Sequence, residues 1–403
     1  MVNEAIQRPA AEDRFHDELA KLQQEDTGPV PPGWLLSPRA LEDFILGSAE
    51  RGIALKFVAP KEMVRRVIVS LATNRGAMLI GEPGTAKSWL SELIACGVSG
   101  SSNLTIQGGT LSHARQLLYD WDNSLLQREG PSLAALIPGP LFLGMQQGKL
   151  VRFEELARCP QHVQDALLSI LSERELHIPE LQGEESVLHA REGFNIIATS
   201  NSLDRGLFDM SAALKRRLNF ETIEPISDLT AELDIVSRES VSLARQSGVS
   251  LEPSADILEM LVTIFHELRS GQTLKGRSTD RLAAAVMSTA EAVAVAHALM
   301  VYAFYYRDGA MTEEDLMHFL IGAALKDNPQ DRRRVRHYVE TEVGTKSGAA
   351  WRALYEHRLS HFWRVLRNCS CPLALWIGAI YLFSNNVSHF FLNRYMAAWY
   401  AVN

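Results

Sequence analysis

The chain has 403 residues, with 40 Lys and Arg against 48 Asp and Glu for a net charge of −8, and it is 46% hydrophobic and 22% charged. That is the composition of an ordinary globular chain of two or three domains of roughly 100–200 residues each, able to bury a core without disulfide staples. The acidic balance argues against a general polyanion binder, and so against nucleic acid as the partner.

Four cysteines, Cys96, Cys159, Cys369 and Cys371, are too few for a disulfide framework, and no CxxC is present. Buried free thiols in a reducing compartment are the expectation. The amino terminus has no apolar core of a secretory signal. The longest apolar run, Pro372 to Phe383, falls short of the roughly 20 residues that span a bilayer. A cytoplasmic protein is expected.

In chain order, residues 1–33 are polar and end in Gly28-Pro-Val-Pro-Pro-Gly33, which predicts a flexible leader. Ser37-Pro38 reads as a helix N-cap with proline at the first helical position. Lys61 to Ala72 follows as a helix with Val64, Ile68 and Leu71 on one face. Short apolar runs at Ala77–Ile80, Asn103–Gln107, Leu150–Phe153 and Phe194–Thr199 alternate with helical patterns, the signature of a parallel α/β sheet. Beyond Glu224 the pattern turns helical through about residue 330. Ile257, Leu261, Phe265 and Leu268 share a face, Arg281 opens an Ala-rich helix, and Thr312 to Asp315 form a capping box. Residues 331–403 begin with Arg332, Arg333, Arg334 and Arg336, a solvated helix face, and end rich in aromatics such as Trp363, Trp376 and Trp399. A packed helical hairpin or a partner-docking surface explains those aromatics better than membrane contact.

The sharpest motif is Gly81-Glu82-Pro83-Gly84-Thr85-Ala86-Lys87-Ser88, directly after the first strand and before an apolar helix. Backbone N–H groups of such a loop and the positive end of the helix dipole cradle phosphates. Lys87 would neutralise the β- and γ-phosphates, and Ser88 would ligate magnesium. Ala86 stands where the general pattern has glycine, and its methyl calls for a negative φ. At the end of a later strand, Glu154 is placed to hold the magnesium shell through a water, and Glu155 to polarise the attacking water.

These motifs arrive in an order that resembles the AAA+ ATPases, and within them the MoxR-like group of the helix-2-insert clade. Gly81–Ser88 looks like that group's P-loop, and Ile137–Phe142 like the segment before Walker B. Glu154-Glu-Leu-Ala-Arg158 with Val163–Arg174 is similar to Walker B and its helix. Phe194–Asn201 is similar to the sensor 1 strand, Ala213–Phe220 to the arginine-finger segment, and Gly276–Arg281 to sensor 2. Glu154 departs from the usual Asp, Ala157 from a common Asn, and Leu218 from a common Phe.

The resemblance implies an AAA+ sheet over residues 34–224, an all-helical lid over 225–330 and a helical C-terminal extension over 331–403. It implies ATP with Mg2+, and Asn201 at the γ-phosphate or the water. Arg281 would sense the γ-phosphate of its own subunit, and Arg217, or failing that Arg216, would reach a neighbour's; Arg158 would be an interface contact. A homo-oligomer closing as a hexameric ring is implied. So is chaperone-like remodelling of a protein client, with a von Willebrand factor A domain protein as the candidate partner. A nucleic-acid motor and a non-hydrolysing nucleotide switch are the competing readings.

Overall fold

The computed structural model describes residues 8–201, 210–282, 286–326 and 328–357. Five strands form one parallel sheet: β1 (Gly76–Gly81), β2 (Thr105–Gln107), β3 (Leu150–Glu154), β4 (Asn195–Asn201) and β5 (Leu218–Ile223), in the spatial order β2-β3-β4-β1-β5. β1 pairs with β4 on one side and β5 on the other, with Leu79 opposite both Thr199 and Glu221. The chain leaves β1 toward one edge of the sheet and returns to the far side of it. The crevice at the carboxyl end of β1 is therefore where an open α/β sheet takes its ligand.

Both faces of the sheet are covered, which is why its strands read as unbroken apolar runs rather than alternating ones. The two-residue period assigns side chains to two cores. Ala77, Leu79 and Ile197 join one, and Met78, Ile196 and Ala198 join the other. Helices α1 (His16–Glu25), α2 (Pro38–Leu46), α3 (Lys61–Leu71) and α4 (Lys87–Ser99) build the first of these cores. Ser37 caps α2 as its sequence foretells, its hydroxyl accepting from the Ala40 N–H.

The amino-terminal segment corrects an expectation. Residues 8–33 are not a free tail: Ala11 and Leu22 are fully buried in the first core. Glu92 on α4 accepts from the Ala11 N–H and from Arg8, and Glu12 accepts from the N–H and hydroxyl of Ser102. Proline and glycine near residue 30 mark a turn between packed helices, and the polar look of α1 comes from its solvent face. Leu22→Ala should therefore cost about 2–5 kcal/mol in urea unfolding. An unchanged denaturation midpoint would return the segment to a loose tail.

The helical region contains α5 (Leu229–Gln246), α6 (Ala255–Ser270), α7 (Thr289–Tyr306), α8 (Glu313–Ala324), α9 (Pro329–Thr341) and α10 (Ala349–Glu356). Thr312 and Asp315 form the expected capping box on α8. Two expectations change here. The Ala-rich helix α7 begins at Thr289 behind a Ser288 cap, so Arg281 lies in the preceding segment rather than at the helix start. A boundary at 330 also cuts through one core, because Val335, Tyr338, Val339 and Leu354 pack with Leu261, Phe265 and Leu316. Glu267 of α6 fastens α9 to the lid, accepting from Tyr338 Oη at 2.5 Å and from Lys346 Nζ at 2.8 Å. Of the four arginines expected on a solvated face, Arg333 and Arg336 are exposed on α9, while Arg332 and Arg334 are half-buried, Arg334 beside the buried Asp331. Trp363, Trp376, Trp399, Cys369 and Cys371 lie outside the described residues. Among the described residues no helix is long and apolar enough to cross a membrane. Cys96 and Cys159 are buried and free, and burial pushes their thiols up to about 12 and about 11.

Candidate nucleotide site

The P-loop runs from Gly81 at the end of β1 to Lys87 and Ser88 at the start of α4. Gly84 turns at φ +79°, and a Cβ there would lie 2.2 Å from the Ser288 side chain that caps α7. Only glycine lets the lid close this tightly on the loop. Ala86 also adopts a left-handed conformation, φ 59° and ψ 31°, against the expected negative φ. The loop's turn into the helix overrides the residue's preference, at a cost of about 1–2 kcal/mol. Ala86→Gly should thus stabilise the protein by about 0.5 kcal/mol after the entropy that glycine restores to the unfolded chain. Loss of stability in a thermal melt would mean that this backbone is not held as described.

Lys87 is buried and folded onto its own loop, donating to the Gly81 and Glu82 carbonyls at 3.1 and 2.7 Å. Those N–H-rich and cationic groups at the amino end of α4 fit a polyphosphate. Arg281 crosses from the lid to donate to Glu82 Oε1 at 2.5 Å. The other oxygen of that carboxylate, Glu82 Oε2, is buried without a hydrogen-bond partner among the described residues.

Glu154 is the best-anchored acid of the site. Ser88 Oγ donates to its Oε2 at 2.5 Å, Thr199 Oγ1 to the same oxygen at 2.7 Å, and Ser91 Oγ to Oε1 at 2.7 Å. Arg152 Nη2 adds a bond to Oε1 at 3.0 Å. Burial alone would push this carboxyl up. The bonds from Ser88, Ser91 and Thr199 and the Arg152 charge together outweigh it and hold the acid below the usual range. An ionised carboxylate bound to the P-loop hydroxyl fits the outer shell of a magnesium ion at Ser88. The methylene that Glu has beyond Asp lets one side chain meet all three hydroxyls.

Glu155 behaves differently. Its backbone is left-handed at φ 55°, and its N–H donates to Thr199 Oγ1 at 3.1 Å. Its carboxylate is partly exposed, 3.3 Å from Arg158 Nη1. Asn201 ends β4 directly beside Gly81 in the sheet register. Glu154, Glu155, Asn201, Lys87, Ser88 and Arg281 are thus gathered at one end of the sheet. Arg216 and Arg217 are not. Arg217 donates to its own Ser172 Oγ and to the Ala213 carbonyl, while the Arg216 side chain is exposed with no partner among the described residues.

Beside the phosphate loop lies a cleft of about 400 Å³ that the sequence reading missed. Phe57, Val58, Trp89, Ile223, Ile226 and Val293 give it apolar walls, and Arg8 and Arg14 of the amino-terminal segment reach its rim. Its apolar walls beside a phosphate cradle suit a nucleoside. Phe57-Val58, an apolar pair just ahead of the helix before β1, was the available signal. Arg8 and Arg14 gave none, since only the fold brings them there.

Family models match two stretches: an AAA domain of the dynein-related subfamily over residues 76–218, and a YehL-like AAA+ ATPase C-terminal domain over residues 230–361. The uncharacterized protein YehL of Escherichia coli K12 is 50% identical over 359 residues, 89% of this chain and 99% of that one. The chain belongs to the YehL-like AAA+ ATPases. The YehL-like C-terminal domain extends past residue 330, in agreement with the single core shared by α6, α8 and α9. Among solved structures, NtrX from Brucella abortus in complex with ADP aligns at 13% identity and a TM-score of 0.47, over 75% of this chain and 64% of NtrX. Its complex with ATP aligns at 14% identity and the same TM-score, over 70% and 60%. The YehL-like chain therefore spans about three fifths of the length of NtrX.

Proposed function

We propose that the protein binds ATP with Mg2+, hydrolyses it, and uses the cycle to remodel or activate a protein client, as the MoxR-like resemblance implies. The observation that carries hydrolysis is the division of labour between adjacent acids. Glu154 is spent on Ser88, Ser91 and Thr199, while Glu155, next along the chain, keeps a partly exposed carboxylate beside Arg158. Lys87 and the amino end of α4 hold the polyphosphate, and Ser88 with Glu154 holds the metal, which when bound offsets phosphate charge. Glu155 accepts a proton from the attacking water, and Asn201 orients that water or the γ-phosphate. Arg281, freed from Glu82, takes the γ-phosphate of its own subunit.

The contacts Arg217 already makes favour Arg216 as the finger offered to a neighbouring copy, with Arg217 fixing the turn that presents it. Such a contact is head-to-tail and closes as a ring, a hexamer by resemblance. A client carrying a von Willebrand factor A domain is the first to test, by co-purification with a Glu155→Gln trap.

Phosphate release tests the reading. Glu155→Gln and Arg216→Ala should each bind ATP and turn over at least a hundredfold more slowly than wild type. Mixed in equal amounts they should regain activity, because roughly a quarter of interfaces then join an intact acid to an intact arginine. Normal turnover by Glu155→Gln would remove that residue from catalysis. Absence of rescue in rings shown by mass to be mixed would remove the shared site.

A further inference from the structure

A buried guanidinium lies behind Glu154. Arg152 stands in the middle of β3 between the apolar Val151 and Phe153, and its fork is fully engaged. Nε donates to Ser91 Oγ at 3.1 Å, Nη1 to the Ser102 carbonyl at 3.3 Å, and Nη2 to the Ser88 carbonyl and to Glu154 Oε1, both at 3.0 Å. The same Nη2 lies 3.9 Å from Oε2 of Glu92, a buried acid on α4. That oxygen is contested, because Arg8 of the amino-terminal segment places its own Nη2 2.8 Å from it. Glu12 of the same segment accepts from the Ser102 N–H at 2.9 Å and from its hydroxyl at 2.8 Å. Arg152 thus meets the site through Ser88 and Glu154, and the amino-terminal segment through Glu92 and Ser102.

Two buried carboxylates beside one buried guanidinium leave the trio one positive charge short. Arg8, 75% exposed, supplies that charge from the solvent side. While Arg8 neutralises Glu92, Arg152 leans on Glu154. Without Arg8, Glu92 keeps only the Ala11 N–H and draws Arg152 toward itself. We propose that Arg152 is a positioning residue of the metal site, and that docking of the amino-terminal segment sets its share between Glu154 and Glu92. The inference rests on the reading of Ser88 and Glu154 as the magnesium site. A guanidinium held on Glu154 offsets the charge that attracts the ion, so the docked segment raises the magnesium that the site requires. A segment pulled away returns that charge to the metal.

The test is ADP binding to the full chain over a series of magnesium concentrations, a readout that needs no turnover. The quantity read is the magnesium that gives half of the gain in affinity. Arg8→Ala should lower that midpoint about threefold and Glu92→Gln should raise it about threefold, the scale of one partly screened charge. Charges acting only through space would add, and Arg8→Ala would then shift the midpoint equally in the Glu92→Gln background. Through Arg152 they do not add: with no carboxylate on α4 to compete for it, the double variant should match Glu92→Gln. Arg152→Lys keeps the charge but cannot span Ser88, Ser91, Ser102 and Glu154 at once, and should no longer respond to Arg8→Ala. Additive shifts overturn the inference, as does a full Arg8→Ala response in Arg152→Lys; should Arg152→Lys not fold, the double variant still decides. If these variants leave the midpoint unmoved while Ser88→Ala abolishes the magnesium effect, the inference fails and the metal site stands. If magnesium does not tighten ADP binding in wild type, or Ser88→Ala leaves its effect intact, both fail together.

Discussion

Lys87→Ala is expected to weaken ATP binding at least a hundredfold. Each hydrogen bond from a charged donor contributes about 1.5–3 kcal/mol where water is excluded, and Lys87 is the cation proposed to meet two phosphates. Before nucleotide arrives the ammonium sits on the Gly81 and Glu82 carbonyls, so the group is already positioned and little is spent on ordering it. Removing it takes the ammonium from both carbonyls, the Glu82 one keeping only Thr85 Oγ1, and a small loss of stability should accompany the loss of binding. Calorimetric titration with ATP separates the two effects. Wild-type affinity in a folded Lys87→Ala protein would mean that the loop does not bind phosphate.

The second large effect is expected in the lid. Glu232 is fully buried on α5 and accepts from Arg269 at 2.6 and 2.8 Å, from Thr289 at 2.6 Å, and meets His266 at 3.4 Å. Arg269 is itself buried and reaches the Met287 and Ile226 carbonyls, so the pair joins three parts of the helical region next to the cleft beside the loop. Glu232→Ala leaves a guanidinium buried without its counter-charge and should cost about 3–5 kcal/mol. Acid should act on the same bond. Burial pushes the Glu232 carboxyl up, but the bonds from His266 and Arg269 and the charge of Arg269 outweigh it and leave the acid below its ordinary 4.5. A carboxyl depressed in the folded state stabilises above the unfolded value and loses that contribution as pH falls through the folded one. Glu154 shifts the same way, so urea midpoints should drop below about pH 4.5, and drop less in Glu232→Gln. A midpoint that is flat with acid in wild type would mean that neither carboxylate is held as described.

The grouping of the loop with the two acids and Asn201 was legible because each of these stretches is short and ends an apolar run. Gly81 to Ser88, the adjacent acids Glu154 and Glu155, and Asn201 each sit at a strand end, where a short apolar run announces the position. The cleft beside the loop was not legible, because residues 8–14, 57–58, 223–226 and 286–293 lie far apart in sequence and meet only in the fold. The amino-terminal segment misled for a different reason. Buried positions such as Ala11, Leu19 and Leu22 are few among charged neighbours, and a narrow apolar stripe of that kind reads as polar. The left-handed Ala86 and Glu155 could not be read either, since local preference points the other way and only the surrounding loop and strand hold them there.

The placement of β1 between β4 and β5 sets an order on synthesis. Its residues Ala77 to Ile80 emerge from the ribosome with both edges open, and their partners, Ile197 to Ser200 and Asn219 to Thr222, follow more than a hundred residues later. At bacterial-to-eukaryotic translation rates that delay is on the order of ten seconds. For that time the most apolar strand of the sheet is an unpaired template, the kind of edge that recruits other chains. The two helices that flank it, α3 and α4, are complete within about twenty residues on either side and can shield one face of it early. Mutations that weaken α3 or α4 should therefore lower soluble yield during expression more than they lower the melting temperature of the finished protein.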